Sequence, residues 1–107
     1  MTGGTMNINQ LIRQMQKIQS RVTELEEELA DKTVESSVGG GMVKVVANGR
    51  RQIVSITIDK EVINPDEVEM LQDLIIAAVN DALRKTQEMI STEISKITGG
   101  IKIPGLF

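Results

Sequence analysis

Residues 74–79, Leu-Ile-Ile-Ala-Ala-Val, constrain the fold of this chain more than any other stretch. They sit in a segment that begins as helices begin. Asn64 suits the N-cap, Pro65 the first helical position, and Glu67 completes a start like a capping box. Asp66, Glu67 and Glu69 suit the positive helix end. A helix segment that is apolar all round must be covered on more than one side. The chain's own sheet can cover one side, and a second subunit is the economical cover for the other. Leu74, Ile75, Ile76, Val79 and Leu83 are therefore the expected core and dimer residues. Beyond Leu83 the apolar stripe narrows to Met89, Ile90, Ile94 and Ile97, and Gly99-Gly100 ends the helix.

The sheet is expected upstream. Thr33 to Val38 reads as a strand with Val34, Ser36 and Val38 on one face. Gly39-Gly40-Gly41 breaks it as a tight turn or bulge. The triplet is no phosphate cradle, because it lacks the GxxxxGK[ST] pattern and precedes a strand. Met42 to Ala47 and Gln52 to Asp59 read as a second and third strand joined at Asn48-Gly49, a strong hairpin signal. Arg50 and Arg51 leave room for a longer loop and are open either to phosphate contact or to plain exposure. Val54, Ile56 and Ile58 oppose Ser55 and Thr57, so one sheet face is buried and the other wet. Lys44 is expected on the solvent side or at an edge.

The first helix is read over residues 7–31, capped by Asn7 or Asn9. Ile8, Leu11, Met15, Ile18, Val22, Leu25 and Leu29 alternate spacings of three and four, an a/d seam that seeks another helix. The order α-β-β-β-α predicts an α+β fold with a small antiparallel sheet and two long helical arms, residues 7–31 and 83–97, in a dimer. One domain spans 1–107, with residues 1–6 expected to be disordered and 98–107 an apolar tail. Met15, Met70 and Met89 fall on seam positions and are expected to fill the core.

Composition narrows the function. The chain has no Cys and no His, so disulfides, the usual zinc sites and the His-based nucleophile systems are excluded. No spacing suggests an acid–base pair, so no enzyme is expected. Asp59, Glu61 and Asp66 are explained by helix-start electrostatics, and neither metal nor cofactor is expected. Phe107 is the only aromatic residue, which disfavours single-strand binding by base stacking. The longest apolar run is too short for a membrane span. The first ten residues lack the charged and apolar regions of a signal peptide, so the expected location is the cytoplasm.

The net charge of −3 is unevenly spread. A first helix running toward the sheet and a last helix running away leave both free ends distal. Residues 1–23 carry +3 from Arg13, Lys17 and Arg21, which sit four apart on one helix face. Residues 82–107 carry +2, with Arg84, Lys85, Lys96 and Lys102 against two acids. The intervening body carries −8, including the acidic row Glu24 to Glu28. These seven distal cations form the candidate surface for phosphate, although solvated helix faces also carry mixed charge by chance.

Several collinear segments resemble one family. LIRQMQKIQ in the first helix, GGGMVKVVANG, the Ile-Asp end of the third strand, NDA in the last helix and a late Gly-Gly with a Pro-Gly tail are similar to the YbaB/EbfC nucleoid-associated proteins. The resemblance covers most of the chain. It implies a homodimer with paired helical arms that binds double-stranded DNA in the cytoplasm and nucleoid. It also implies weak sequence preference and no catalysis, membrane or small-molecule substrate. The alternative is a coiled-coil, chaperone-like clamp that holds a protein partner without binding DNA, which the heptad seam and its Met residues permit.

Overall fold

The computed structural model describes residues 7–98. The expectations for residues 1–6 and for the tail after Thr98 lie outside the described residues. Helix α1 spans Ile8–Leu29, strand β1 Thr33–Val38, β2 Val43–Asn48, β3 Ile53–Ile58, and helix α2 Val68–Thr98. The expected α-β-β-β-α order is the observed one.

Local chemistry sets the ends of these elements. The Asn7 side chain accepts from the Gln10 amide at 2.8 Å, and the Gln10 side chain accepts from the Asn7 amide at 3.3 Å. This reciprocal box satisfies two of the donors that a helix start leaves unpaired. Short 3₁₀ turns at Lys60–Val62 and Pro65–Glu67 precede α2, capped by Asp59 and Asn64. Asn64 thus caps a 3₁₀ turn, and α2 itself begins at Val68, one turn later than the sequence signals suggest.

The strands form an antiparallel sheet in the order β1-β2-β3. In the register, Val34, Ser36 and Val38 of β1 stand opposite Ala47, Val45 and Val43 of β2. Ile58, Ile56 and Ile53 of β3 continue the same rows, and Val54 is the extra residue of a bulge. Partners across a ladder point to the same face. These residues therefore share the face under α2. Thr33, Glu35, Ser37, Lys44, Thr57 and Ser55 belong to the other, which is wet.

α2 crosses β1 and β2 on two small residues. Ala78 and Ala82 are fully buried against Val43, Val45 and Ala47, with Val34, Val38, Leu71, Leu74, Ile75 and Val79 around them. Small side chains let the helix backbone come close to the sheet. The two valines each contribute about 2 kcal/mol by burial. Past the sheet, α2 pairs with α1 through a second cluster of Val22, Leu25, Leu29, Ile90 and Ile94, flanked by Ile18 and Ile97. Two packing centres in a row make the molecule long, 75 Å in its greatest dimension.

Two turns depend on glycine. Gly39, Gly40 and Gly41 all have positive φ, at 64°, 69° and 93°, and close the β1–β2 turn with the Gly41 amide on the Val38 carbonyl at 3.2 Å. The β2–β3 loop is longer than two residues. Arg51 takes the positive φ, at 60°, and the Asn48 side chain accepts from the amides of Arg50 and Gln52. Gly49 serves a different need. It passes under the end of α1, where its amide donates to the Lys32 carbonyl at 3.0 Å. A Cβ there would lie 1.9 Å from the Leu29 carbonyl oxygen.

Part of the first-helix seam is not core. Ile8, Leu11 and Met15 are exposed, and only Val22, Leu25 and Leu29 are buried, where Ile90 and Ile94 of α2 pack against them. Met70 is also exposed, so of the three seam methionines only Met89 is half-buried.

Gly49→Ala is expected to lower unfolding stability by about 3 kcal/mol, the upper end of an overpacking cost, because the clash is with backbone. Gly40→Ala meets no atom within 4 Å. It is expected to cost only about 1–2 kcal/mol for its left-handed backbone. Urea titrations of the two variants beside the parent check both values.

Candidate nucleic-acid interface

The expected cations divide sharply once their neighbours are known. On α1, Arg13 and Lys17 are exposed and have no acidic partner among the described residues. They share a shallow groove with Gln16, Ser20, Arg21 and Glu24, and Gln10 and Gln14 lie beside them. Arg21, one turn further, is drawn toward the body and pairs with Glu24 at 3.1 Å and Glu28 at 3.8 Å. The acidic row that begins at Glu24 thus neutralises the inner end of the basic row.

On α2 the cations are engaged. Arg84 pairs with Asp81 and with Glu88, the latter at 2.7 Å. Lys85 reaches Asp81 at 3.4 Å and donates to the Glu35 carbonyl at 3.1 Å. Lys96 pairs with Glu93 at 3.0 Å. Lys102 lies outside the described residues. Arg84, Lys85 and Lys96 therefore carry local charge balance on their own helix. Lys85 also fastens α2 to the β1 edge.

Asp81 is the centre of that fastening, and the sequence reading passed over it. The fully buried Ser36 hydroxyl donates to Asp81 at 2.8 Å, tying β1 to α2. The Ser36 hydroxyl first, then Arg84, and then Lys85 hold the Asp81 carboxyl below the usual carboxylate range. The available signal was an acid at Asp81 between Ala78 and Ala82, close to the sheet-facing stripe. At the hairpin, Arg51 donates twice to Gln87, at 3.1 and 2.9 Å, and so braces the loop on α2. Arg50 is exposed beside Thr23, Glu26 and Glu27 of α1.

A second surface is apolar. Asp81 faces the β1 edge, so the side of α2 away from it faces β3. Ile76, Val79 and Leu83 follow one another on that side at spacings of three and four. Ile76 is 59% exposed, Val79 and Leu83 half-buried, and Ile53 and Ile56 of β3 remain exposed beneath the same sheet face. Leu74 and Ile75 are half-buried against the sheet. The expected core and dimer set thus splits into residues that pack within the chain and residues left open beside β3. Among the described residues, no group of acidic side chains is placed to hold a metal ion, and no helix is long and apolar enough to cross a membrane.

Comparison with known proteins places these features in a wider group. The model of the YbaB/EbfC DNA-binding family matches residues 3–101. A nucleoid-associated protein of Acetivibrio thermocellus is 63% identical over 94% of this chain and 90% of its own length. One from Desulforamulus reducens is 56% identical over the whole of both chains. The crystal structure of HP0035, an uncharacterized protein from Helicobacter pylori, superposes with a TM-score of 0.74 at 26% identity, covering 88% of this chain and 99% of that one.

Ionised Asp81 adds stability that is complete above its unfolded-state pKa and is lost as pH falls through its lower folded-state pKa. Asp81→Asn is therefore expected to be less stable at neutral pH and to show a flatter loss of stability on acidification. Thermal unfolding across the acid range reads both effects.

Proposed function

The chain belongs to the YbaB/EbfC DNA-binding family, and from that premise we propose that it binds duplex DNA as a homodimer, through the distal half of α1. The observation that carries this reading is the pair Arg13 and Lys17, exposed cations without an acidic partner among the described residues. Phosphate contact needs a cation that is not already spent on a carboxylate. The acidic row from Glu24 repels the backbone from the body and keeps it at the arm tips. Such contacts position a protein on DNA without reading sequence, in keeping with weak sequence preference. Arg21, Arg84, Lys85 and Lys96 add to the local field but would first have to leave their carboxylate partners. Lys102 belongs to the same candidate surface by sequence position.

The dimer is assigned to the open apolar side of α2 together with β3. Ile76, Ile53 and Ile56 offer a continuous apolar strip that a second copy would cover with the same strip, as a two-fold contact requires. Two subunits present two α1 tips, and with them four unpaired cations. Counterion release then gives a slope of about −3.6 for log K against log salt.

Titrating random-sequence duplex at several salt concentrations is expected to return a slope near that value. Arg13→Ala with Lys17→Ala is expected to flatten it and to weaken binding at least tenfold at low salt. Affinity and slope equal to the parent's would remove α1 from the interface. The second reading, a protein-holding clamp, draws on the exposed Leu11 and Met15. It predicts a folded dimer that ignores duplex at every salt concentration.

Ile76→Asp is expected to convert the dimer to monomer without unfolding it, because Ile76 lies outside the buried cluster. Sedimentation velocity and circular dichroism together test this. A parent chain that sediments as a monomer would sink the dimer assignment.

A further inference from the structure

One polar group in the middle of α2 is buried without a partner. Thr86 is fully buried, and its hydroxyl makes no hydrogen bond among the described residues. A buried hydroxyl left unpaired is costly, and native structures hold few of them. A threonine inside a helix has a ready remedy. Its hydroxyl can donate to the carbonyl four residues back, which keeps a second lone pair after accepting the helix bond. For Thr86 that acceptor is the Ala82 carbonyl, and the bond is not made. Back-bonding of this kind bends a helix. We propose that Thr86 is the pivot of the arm: α2 has a second, bent form in which the Thr86 hydroxyl donates to the Ala82 carbonyl, and the distal half of α2 swings with α1 relative to the sheet.

Three observations place the pivot at this residue. The first is position. One turn before Thr86, Ala82 belongs to the cluster on the sheet, and one turn after it, Ile90 belongs to the cluster shared with α1. The two clusters have no residue in common, so a bend at Thr86 moves one against the other and leaves each packed as it is. The second is the rest of the helix. α2 holds neither Gly nor Pro between Val68 and Thr98, and Thr86 is its only fully buried hydroxyl among the described residues. The common causes of a helix bend are therefore missing elsewhere along it. The third is the side-chain contact beside the pivot. Arg51 donates to Gln87 from the exposed hairpin, through two long side chains that follow a swing by changing rotamer. The inference depends neither on DNA binding nor on dimerisation.

The chain has no cysteine, so two spin labels can be placed without background. Gln19→Cys puts one on an exposed position of α1, and Lys44→Cys puts the other on the wet face of the sheet. Doubly labelled full-length protein is refolded with an excess of unlabelled chain, so that pulsed electron resonance reads distances within one chain. The parent is expected to show two distances, one for each form of α2. Thr86→Val keeps the branched shape and removes the hydroxyl. It is expected to leave one distance and to raise the urea midpoint of unfolding, because the unpaired group is gone. A single distance in the parent overturns the proposal, and so do two distances that survive Thr86→Val. A midpoint that does not rise overturns it as well, since the hydroxyl would then be bonded already.

Discussion

The packing of Ala78 and Ala82 onto the Val43, Val45 and Ala47 row is the contact on which the rest of the molecule depends. It fixes where α2 crosses the sheet and therefore where α2 leaves it. A larger residue at either alanine would lift the helix off β2 and shift every contact further along. Because α2 is a single helix of 31 residues, its angle on the sheet also aims its distal half. That distal half is the support for α1.

The Ser36–Asp81 bond and the Lys85 contact with Glu35 act on the same degree of freedom from the side. They hold α2 over β1 and β2 and leave β3 uncovered. One edge of the α2–sheet contact is thus closed by polar fastening, and the other is open and apolar. A chain this small gains from covering such a face with a partner. The proposed dimer uses the side that the polar fastening leaves free. At the other end, Gly49 slides beneath the last turn of α1, and Arg51 braces the hairpin on Gln87. The loop between β2 and β3 is therefore the bracket that joins sheet, α1 and α2.

Much of this was legible in the residues. Periodicity located α1 and all three strands within a residue or two, and α2 except for a start one turn late, since burial in a strand or helix repeats with local geometry. The Asn48-Gly49 signal found the hairpin, although for a partly mistaken reason. Gly49 is there to admit the Leu29 carbonyl, and the positive φ falls to Arg51. The seam of α1 was read as continuous, and it is continuous in the sequence. Its core portion runs from Ile18 to Leu29, where Ile90, Ile94 and Ile97 of α2 face it, because burial needs a facing helix and not the spacing alone.

The sequence by itself determined the element order, the turn positions, the sheet-facing rows of β1 and β2, and the acidic stretch that follows the basic row of α1. All of these depend on neighbours a few positions apart along the chain. Only the tertiary structure decided which of the charged residues also hold the layers together: the pairs of Arg84 and Lys85 with Asp81 join helix neighbours three and four positions apart, but the Ser36 hydroxyl on Asp81 and the Glu35 carbonyl on Lys85 come from β1. The physical reason is distance. A carboxylate neutralises a cation only within a few ångströms, and the Asp81 site is built partly by Ser36, forty-five positions away in the chain.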